Sequence, residues 1–133
     1  DSLPLTGSGD ETRDFTYVLD LVQGLIKAGY EKKAIGQSFN LASGKEISIK
    51  ELITLINKIT KNNLPVTNYP ARKWDTKKRL LASIDLATEL IGYKPIIEFE
   101  EGLNFAIKWF EENWKDIKLF SDFPPGISSA VRK

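Results

Sequence analysis

The stretch Leu3-Pro4-Leu5-Thr6-Gly7-Ser8-Gly9-Asp10-Glu11-Thr12-Arg13-Asp14-Phe15-Thr16-Tyr17-Val18 runs directly into Leu19-Asp20-Leu21-Val22-Gln23-Gly24-Leu25-Ile26. Its first residues suit an extended piece, and Gly7 and Gly9 mark a turn. Thr12 to Val18 has the Thr, Phe, Tyr and Val content of a short strand or extended entry. Val18, Leu21, Val22, Leu25 and Ile26 then recur at i, i+3, i+4, i+7 and i+8, one face of an amphipathic helix, which Gly29 ends.

The same alternation of short strand and helix continues outward. Gln37 to Leu41 reads as a buried strand, followed by the turn Ala42-Ser43-Gly44. Ser48-Ile49-Lys50-Glu51 carries the capping-box pattern, and Ile49, Leu52, Ile53, Ile56 and Ile59 keep helical spacing until Asn62 and Asn63. Val66 to Tyr69 is a second short strand stopped by Pro70. A helix over residues 84–91 has Ser83 or Asp85 at its start and Gly92 beyond its end. The last helix begins near Phe99, carries Glu100 and Glu101 at its positive dipole end, and runs to about Lys115. Its buried face is read as Leu103, Ala106, Ile107, Phe110 and Trp114, leaving Phe105 and Trp109 for something else to cover. These elements predict an α/β chain of α+β-like character, with a small mixed sheet of short strands and about four helices. Residues 1–118 form one domain and 119–133 an extended tail.

Composition limits the chemistry. The chain has 133 residues, 41% hydrophobic and 28% charged, which fits one soluble domain and excludes a disordered chain, a coiled-coil rod or a collagen-like fibre. It contains no Cys and no His, so zinc sites built on those ligands, thiol chemistry, disulfides and imidazole catalysis are excluded. Nineteen basic residues (Lys+Arg 19) against Asp+Glu 18 leave a net charge of +1, which gives no general attraction to nucleic acid or to an anionic membrane. The apolar runs are too short to span a bilayer and no leader pattern opens the chain, so a cytoplasmic setting with neither partner is expected. The absence of Met and the start at Asp1 suggest that at least an initiator precedes these residues.

Several apparent motifs fail on spacing or context. Gly44-Lys45 lacks the glycine pattern of a phosphate loop, and Glu46 stands where a hydroxyl should bind magnesium. Gly7-Ser8-Gly9 opens no dinucleotide fingerprint, because position 12 is Thr and no buried strand precedes it. Tyr69 and Lys73 have Tyr-x-x-x-Lys spacing, but Pro70 pushes Tyr69 toward extended geometry, whereas that pair needs one helix face. The adjacent acids Asp10/Glu11 and Glu111/Glu112 read as solvated charge. Residues 72–79 carry Arg72, Lys73, Lys77, Lys78 and Arg79 against Asp75 alone, which is either a solvated loop or an anion contact. Arg13, between a glycine turn and an apolar helix, needs an anionic partner. Arg13 and Arg72 converging would clamp a diphosphate, since the guanidinium fork matches phosphate oxygens in pairs; Asp14 as the ion-pair partner of Arg13 is the competing explanation.

From about Leu3 to Lys115 the order and spacing of these pieces resemble the extended short-chain dehydrogenases that act on nucleotide sugars, such as UDP-glucose 4-epimerases and sugar-nucleotide 4,6-dehydratases. The markers are the opening stretch to Val18 with Asp20, then Phe39-Asn40-Leu41-Ala42-Ser43-Gly44 with Ser48 and Glu51. Arg72, Asp75, Ala82, Asp85, Ala87, Leu90-Ile91-Gly92-Tyr93-Lys94-Pro95 and Glu100-Glu101-Gly102-Leu103 follow in order. The resemblance lies in that family's C-terminal, substrate-binding subdomain, which follows a Rossmann-type half. It implies that Arg13 and Arg72 contact the substrate diphosphate, that Asp75 contacts the nucleotide ribose, and that the Pro4–Thr6 edge, with Thr6, passes the base. Arg79 has counterparts in some members, and Trp74 stands where the family often has Gly.

The resemblance further implies a parent NAD-dependent nucleotide-sugar epimerase or dehydratase. Its NAD loop and catalytic Tyr and Lys lie in the N-terminal Rossmann half, outside these residues, so the chain alone should be inactive. Expected partners are a UDP- or dTDP-linked sugar and that N-terminal half, with the parent a homodimer. The other class of function is a stand-alone, non-catalytic module that binds a phosphorylated ligand or a partner protein.

Overall fold

The computed structural model describes residues 2–74 and 76–120. Among these residues five short strands are arranged as β1 (Pro4–Thr6), β2 (Thr12–Arg13), β3 (Ile47–Ser48), β4 (Thr67–Tyr69) and β5 (Arg79–Leu80). The five α-helices are α1 (Val18–Tyr30), α2 (Ile49–Thr60), α3 (Asp85–Ile91), α4 (Phe99–Glu112) and α5 (Trp114–Phe120), with a 3-10 turn at Lys32–Ala34. The mixed α/β class is as expected. Its strands form two small sheets: a parallel pair β1–β4, and a three-stranded sheet in the order β3–β2–β5. In the second, β2 is antiparallel to β3 and parallel to β5.

Local signals place the helices well. Ser48 Oγ accepts from Glu51 N at 3.1 Å while Glu51 Oε2 accepts from Ser48 N at 2.8 Å, so the capping box starts α2. That helix ends one residue earlier than Asn62, on Lys61 in the left-handed region. Gly92, at φ 59, terminates α3 and hands its amide to the last carbonyls. The final helix is not continuous to Lys115. It breaks at Asn113, whose side-chain amide donates to Trp109 O at 2.8 Å, and α5 resumes as far as Phe120. Leu119 and Phe120 are thus helical, and the remainder of the expected tail lies outside the described residues.

Packing reverses what the periodicity of α1 suggests. A stripe of this spacing ordinarily faces a core, yet Val18, Leu21, Val22, Leu25 and Ile26 are all exposed. The buried side of α1 carries Asp20 and Gly24 instead. Asp20 is only 4% exposed, and its carboxylate accepts from Ile96 N and Ile97 N at 3.0 Å each. At Gly24 a Cβ would stand 2.8 Å from the Leu41 side chain and 2.9 Å from Tyr93, so only a bare Cα lets those groups pass.

The core that α1 meets in this way is built on Ala87, Ile91 and Tyr93, with Ala28, Ala34, Phe39, Leu41, Ile84 and Leu90 around it. Tyr93 is 1% exposed and its hydroxyl donates to Ala42 O at 3.0 Å. Phe39 and Leu41 contribute to this core, but Gln37–Leu41 is no strand: among the described residues no neighbouring strand pairs with it. Alternation and β-propensity can make a segment extended, whereas a ladder needs a partner. On α4, Leu103, Ala106 and Ile107 are half-buried as read, while Phe110 and Trp114 are exposed along with Phe105 and Trp109. Gly102 is buried on this helix, and a Cβ there would lie 3.1 Å from Tyr17.

Candidate functional site

Two parallel pairings run between the same two segments. Thr6 is in register with Tyr69, and Thr12 and Arg13 with Arg79 and Leu80. Gly7 N donates to Tyr69 O at 3.0 Å and Thr12 N to Lys78 O at 2.9 Å, which ties both ends of the cationic 70–78 loop to the segment holding Thr6 and Arg13. A Cβ on Gly7 would stand 3.8 Å from that of Ala71, so the loop leaves β4 against the glycine turn.

Arg13 occupies the end of β2. Its Nη1 donates to Thr12 O at 2.7 Å, and among the described residues no carboxylate pairs with it. It lines an open depression of about 470 Å³ with Asp14, Asn40 and the chain from Leu80 to Ala82. The competing explanation, an Arg13–Asp14 ion pair, fails for a structural reason. The Asp14 carboxylate is taken by Ser43 N at 2.9 Å, Ser43 Oγ at 2.5 Å and Gly44 N at 3.0 Å. A longer contact from Ala82 N, at 3.5 Å, completes the set. Asp14 therefore ties the 43–44 turn to the chain at Ala82, a role its position beside Arg13 in the sequence does not reveal.

Arg79 is committed elsewhere. Its Nε reaches both Glu46 oxygens at 2.8 Å and its Nη2 lies 2.7 Å from Oε2, a two-pronged pair. Thr12 Oγ1 also donates to Glu46 at 2.7 Å. The Arg79 guanidinium, then the Thr12 hydroxyl, hold the Glu46 carboxyl below its ordinary value, and Glu46 in turn raises Arg79. Glu46 was missed by reading the sequence; it stands 33 residues from its partner, and no local signal connects them.

Thr6 lies on β1 beside Tyr69, three residues before Arg72. Arg72 is exposed, with its guanidinium carbon 5.8 Å from the centre of the Trp74 ring. The depression lined by Arg13 includes neither Thr6 nor Arg72 among the described residues. Asp75, the expected ribose contact, lies outside the described residues.

None of the apparent nucleotide motifs among the described residues forms a dinucleotide cradle. The Gly7-Ser8-Gly9 turn leads into β2 rather than a helix, and Glu11 Oε2 already accepts the Gly9 amide at 2.9 Å. Gly44 N is held by Asp14, and Tyr69 sits in a strand, away from any helical pairing with Lys73. Among the described residues there is no group of three metal-ligating side chains, and no helix is long and apolar enough to cross a membrane. What the strip can do is present guanidinium, hydroxyl and backbone groups to an anion.

No protein-family model matches the chain. It is 34% identical over 110 residues to UDP-glucuronic acid decarboxylase 1 of Danio rerio, covering 83% of this chain and 26% of that protein. The structure of an epimerase from Methanothermobacter thermautotrophicus superposes with a TM-score of 0.87 at 46% identity, covering 90% of this chain and 36% of that one. The Bordetella bronchiseptica enzyme WbmF in complex with NAD+ and UDP gives 0.72 at 36% identity, over 89% of this chain and 34% of that one. The chain thus spans between 26% and 36% of the length of these relatives.

Proposed function

We propose, for a chain whose homologues are nucleotide-sugar epimerases and decarboxylases of the extended short-chain dehydrogenase type, that it is the substrate-gripping part of such an enzyme. The observation that carries this is Arg13: a guanidinium oriented by its own backbone, without a carboxylate partner among the described residues, on the wall of an open depression. Such a group is prepared for an anion that arrives from outside. Arg13 and Arg72 are the hands for the diphosphate, Thr6 lines the path of the base, and Asp75 holds the ribose. Arg79 acts indirectly, by fixing Glu46 and with it the β2–β5 edge. Grip of this kind uses binding energy remote from the reaction to place the sugar.

NAD belongs to the part of the parent enzyme outside these residues, where it would supply hydride chemistry, and the chain alone is inactive. The surface that receives that part is the exposed stripe of α1 together with the aromatics Phe105 and Trp109. An apolar face of this extent is costly to leave in water.

Titration calorimetry of the intact protein with UDP-sugars against plain sugar 1-phosphates tests the reading, because only a nucleotide grip distinguishes them. Arg13→Ala is expected to weaken nucleotide-sugar binding by about one to two decades, the worth of a charge-assisted contact, while NAD content is unchanged. Equal affinity for both ligand types, or equal loss of NAD, would refute the assignment.

A further inference from the structure

Trp74 is 73% exposed, yet it belongs to none of the apolar faces, which lie on α1, α4 and α5. Four of its companions in the loop are the cations Arg72, Lys73, Lys77 and Lys78, and Arg72 places its guanidinium carbon 5.8 Å from the ring centre, within the range of a cation–π contact. Thr76 N donates to Trp74 O at 2.9 Å. The loop that bears it is closed at both ends, by Gly7 on Tyr69 and by Thr12 on Lys78, so it cannot spread away from the turn joining β1 and β2. Thr6 and Arg13 stand on either side of that turn. Beyond that contact most of the indole is left in water, a broad π-surface that suits a flat, neutral heterocycle attached to phosphates.

We infer that Trp74 is a stacking platform for the nucleobase and thereby sets the preference for a nucleotide over simpler phosphates. This rests on the proposed diphosphate grip and deepens it by giving the base its own contact. Stacking on an aromatic face tolerates any base, so Trp74 contributes affinity for a nucleoside more than choice among nucleosides.

The experiment is calorimetric titration of the intact protein, wild type, Trp74→Ala and Trp74→Phe, with UDP and with inorganic pyrophosphate. The expected result is that Trp74→Ala weakens UDP roughly tenfold, the usual worth of one stacked base, and leaves pyrophosphate unchanged. Trp74→Phe should recover most of the loss. Unchanged melting of the variants excludes unfolding as the cause. UDP binding that is indifferent to Trp74→Ala, or equal loss of UDP and pyrophosphate, overturns the stacking role while leaving the diphosphate grip intact. Wild-type protein that binds neither ligand overturns the grip and the stacking together.

Discussion

Replacing Asp20 with Asn changes one atom's chemistry at almost constant volume, which makes it a sharp probe of how α1 is held. The Asp20 carboxylate, 4% exposed, receives the Ile96 and Ile97 amides at 3.0 Å, one on each oxygen. Asparagine keeps one acceptor and turns an NH2 toward the other amide. One charge-assisted bond is lost, worth about 1.5–3 kcal/mol, and a part-buried amide loses its acceptor at a further cost toward the lower end of about 1–3 kcal/mol. The two terms overlap, and removing a buried charge recovers part of them, so the net expectation is about 3 kcal/mol. For a domain of this size that corresponds to a drop in Tm of roughly 10 °C. Urea unfolding of the intact protein followed by circular dichroism should show a lower midpoint with an unchanged slope. Amide exchange at Ile96 and Ile97 should quicken in parallel. Glu111→Gln, on the exposed side of α4, is the control and should be silent within about 0.5 kcal/mol. A silent Asp20→Asn would mean that the 93–98 connection is held by packing alone, and the account of why α1 turns this face inward would be wrong.

Two further substitutions test the same region. Gly24→Ala would ordinarily favour a helix by up to about 1 kcal/mol. Here a Cβ falls 2.8 Å from Leu41 and 2.9 Å from Tyr93, so thermal melting should show a net loss of about 1–3 kcal/mol instead. Tyr93→Phe removes the bond to Ala42 O and should cost about 1 kcal/mol at neutral pH. Burial, followed by Asp20 and Asp14, raises the Tyr93 phenol above its ordinary value of 10.0. The folded state therefore holds the proton more tightly than the unfolded chain. This contribution is complete below about pH 10 and is lost as pH rises through the folded value. Urea midpoints measured from pH 8 upward should fall more steeply for wild type than for Tyr93→Phe, and parallel curves would contradict the assignment.

Much of the fold was legible where interactions are local. The Ser48–Glu51 box is a reciprocal pair of hydrogen bonds and the Gly92 stop an amide donated to carbonyls just before it, and both appear in the sequence as local patterns. The break at Asn113 was not legible, because the Trp109 carbonyl competes for a side chain that resembles any other polar surface residue. Of the site, the family pattern picked out Arg13, Arg72 and Arg79, and the structure separates them by their company. Arg13 faces an open depression, Arg72 meets Trp74, and Arg79 is bound to Glu46.

What the residues alone determined, then, is where most helices begin and where the chain turns, since those depend on bonds between near neighbours. Only the tertiary structure decided which side of α1 is buried, that Asp14 serves Ser43 and Gly44 instead of Arg13, and that Gln37–Leu41 joins no ladder among the described residues. Burial, ion pairing and sheet formation are properties of two surfaces that meet, and the stretch from Val18 to Ile26 carries only one of them.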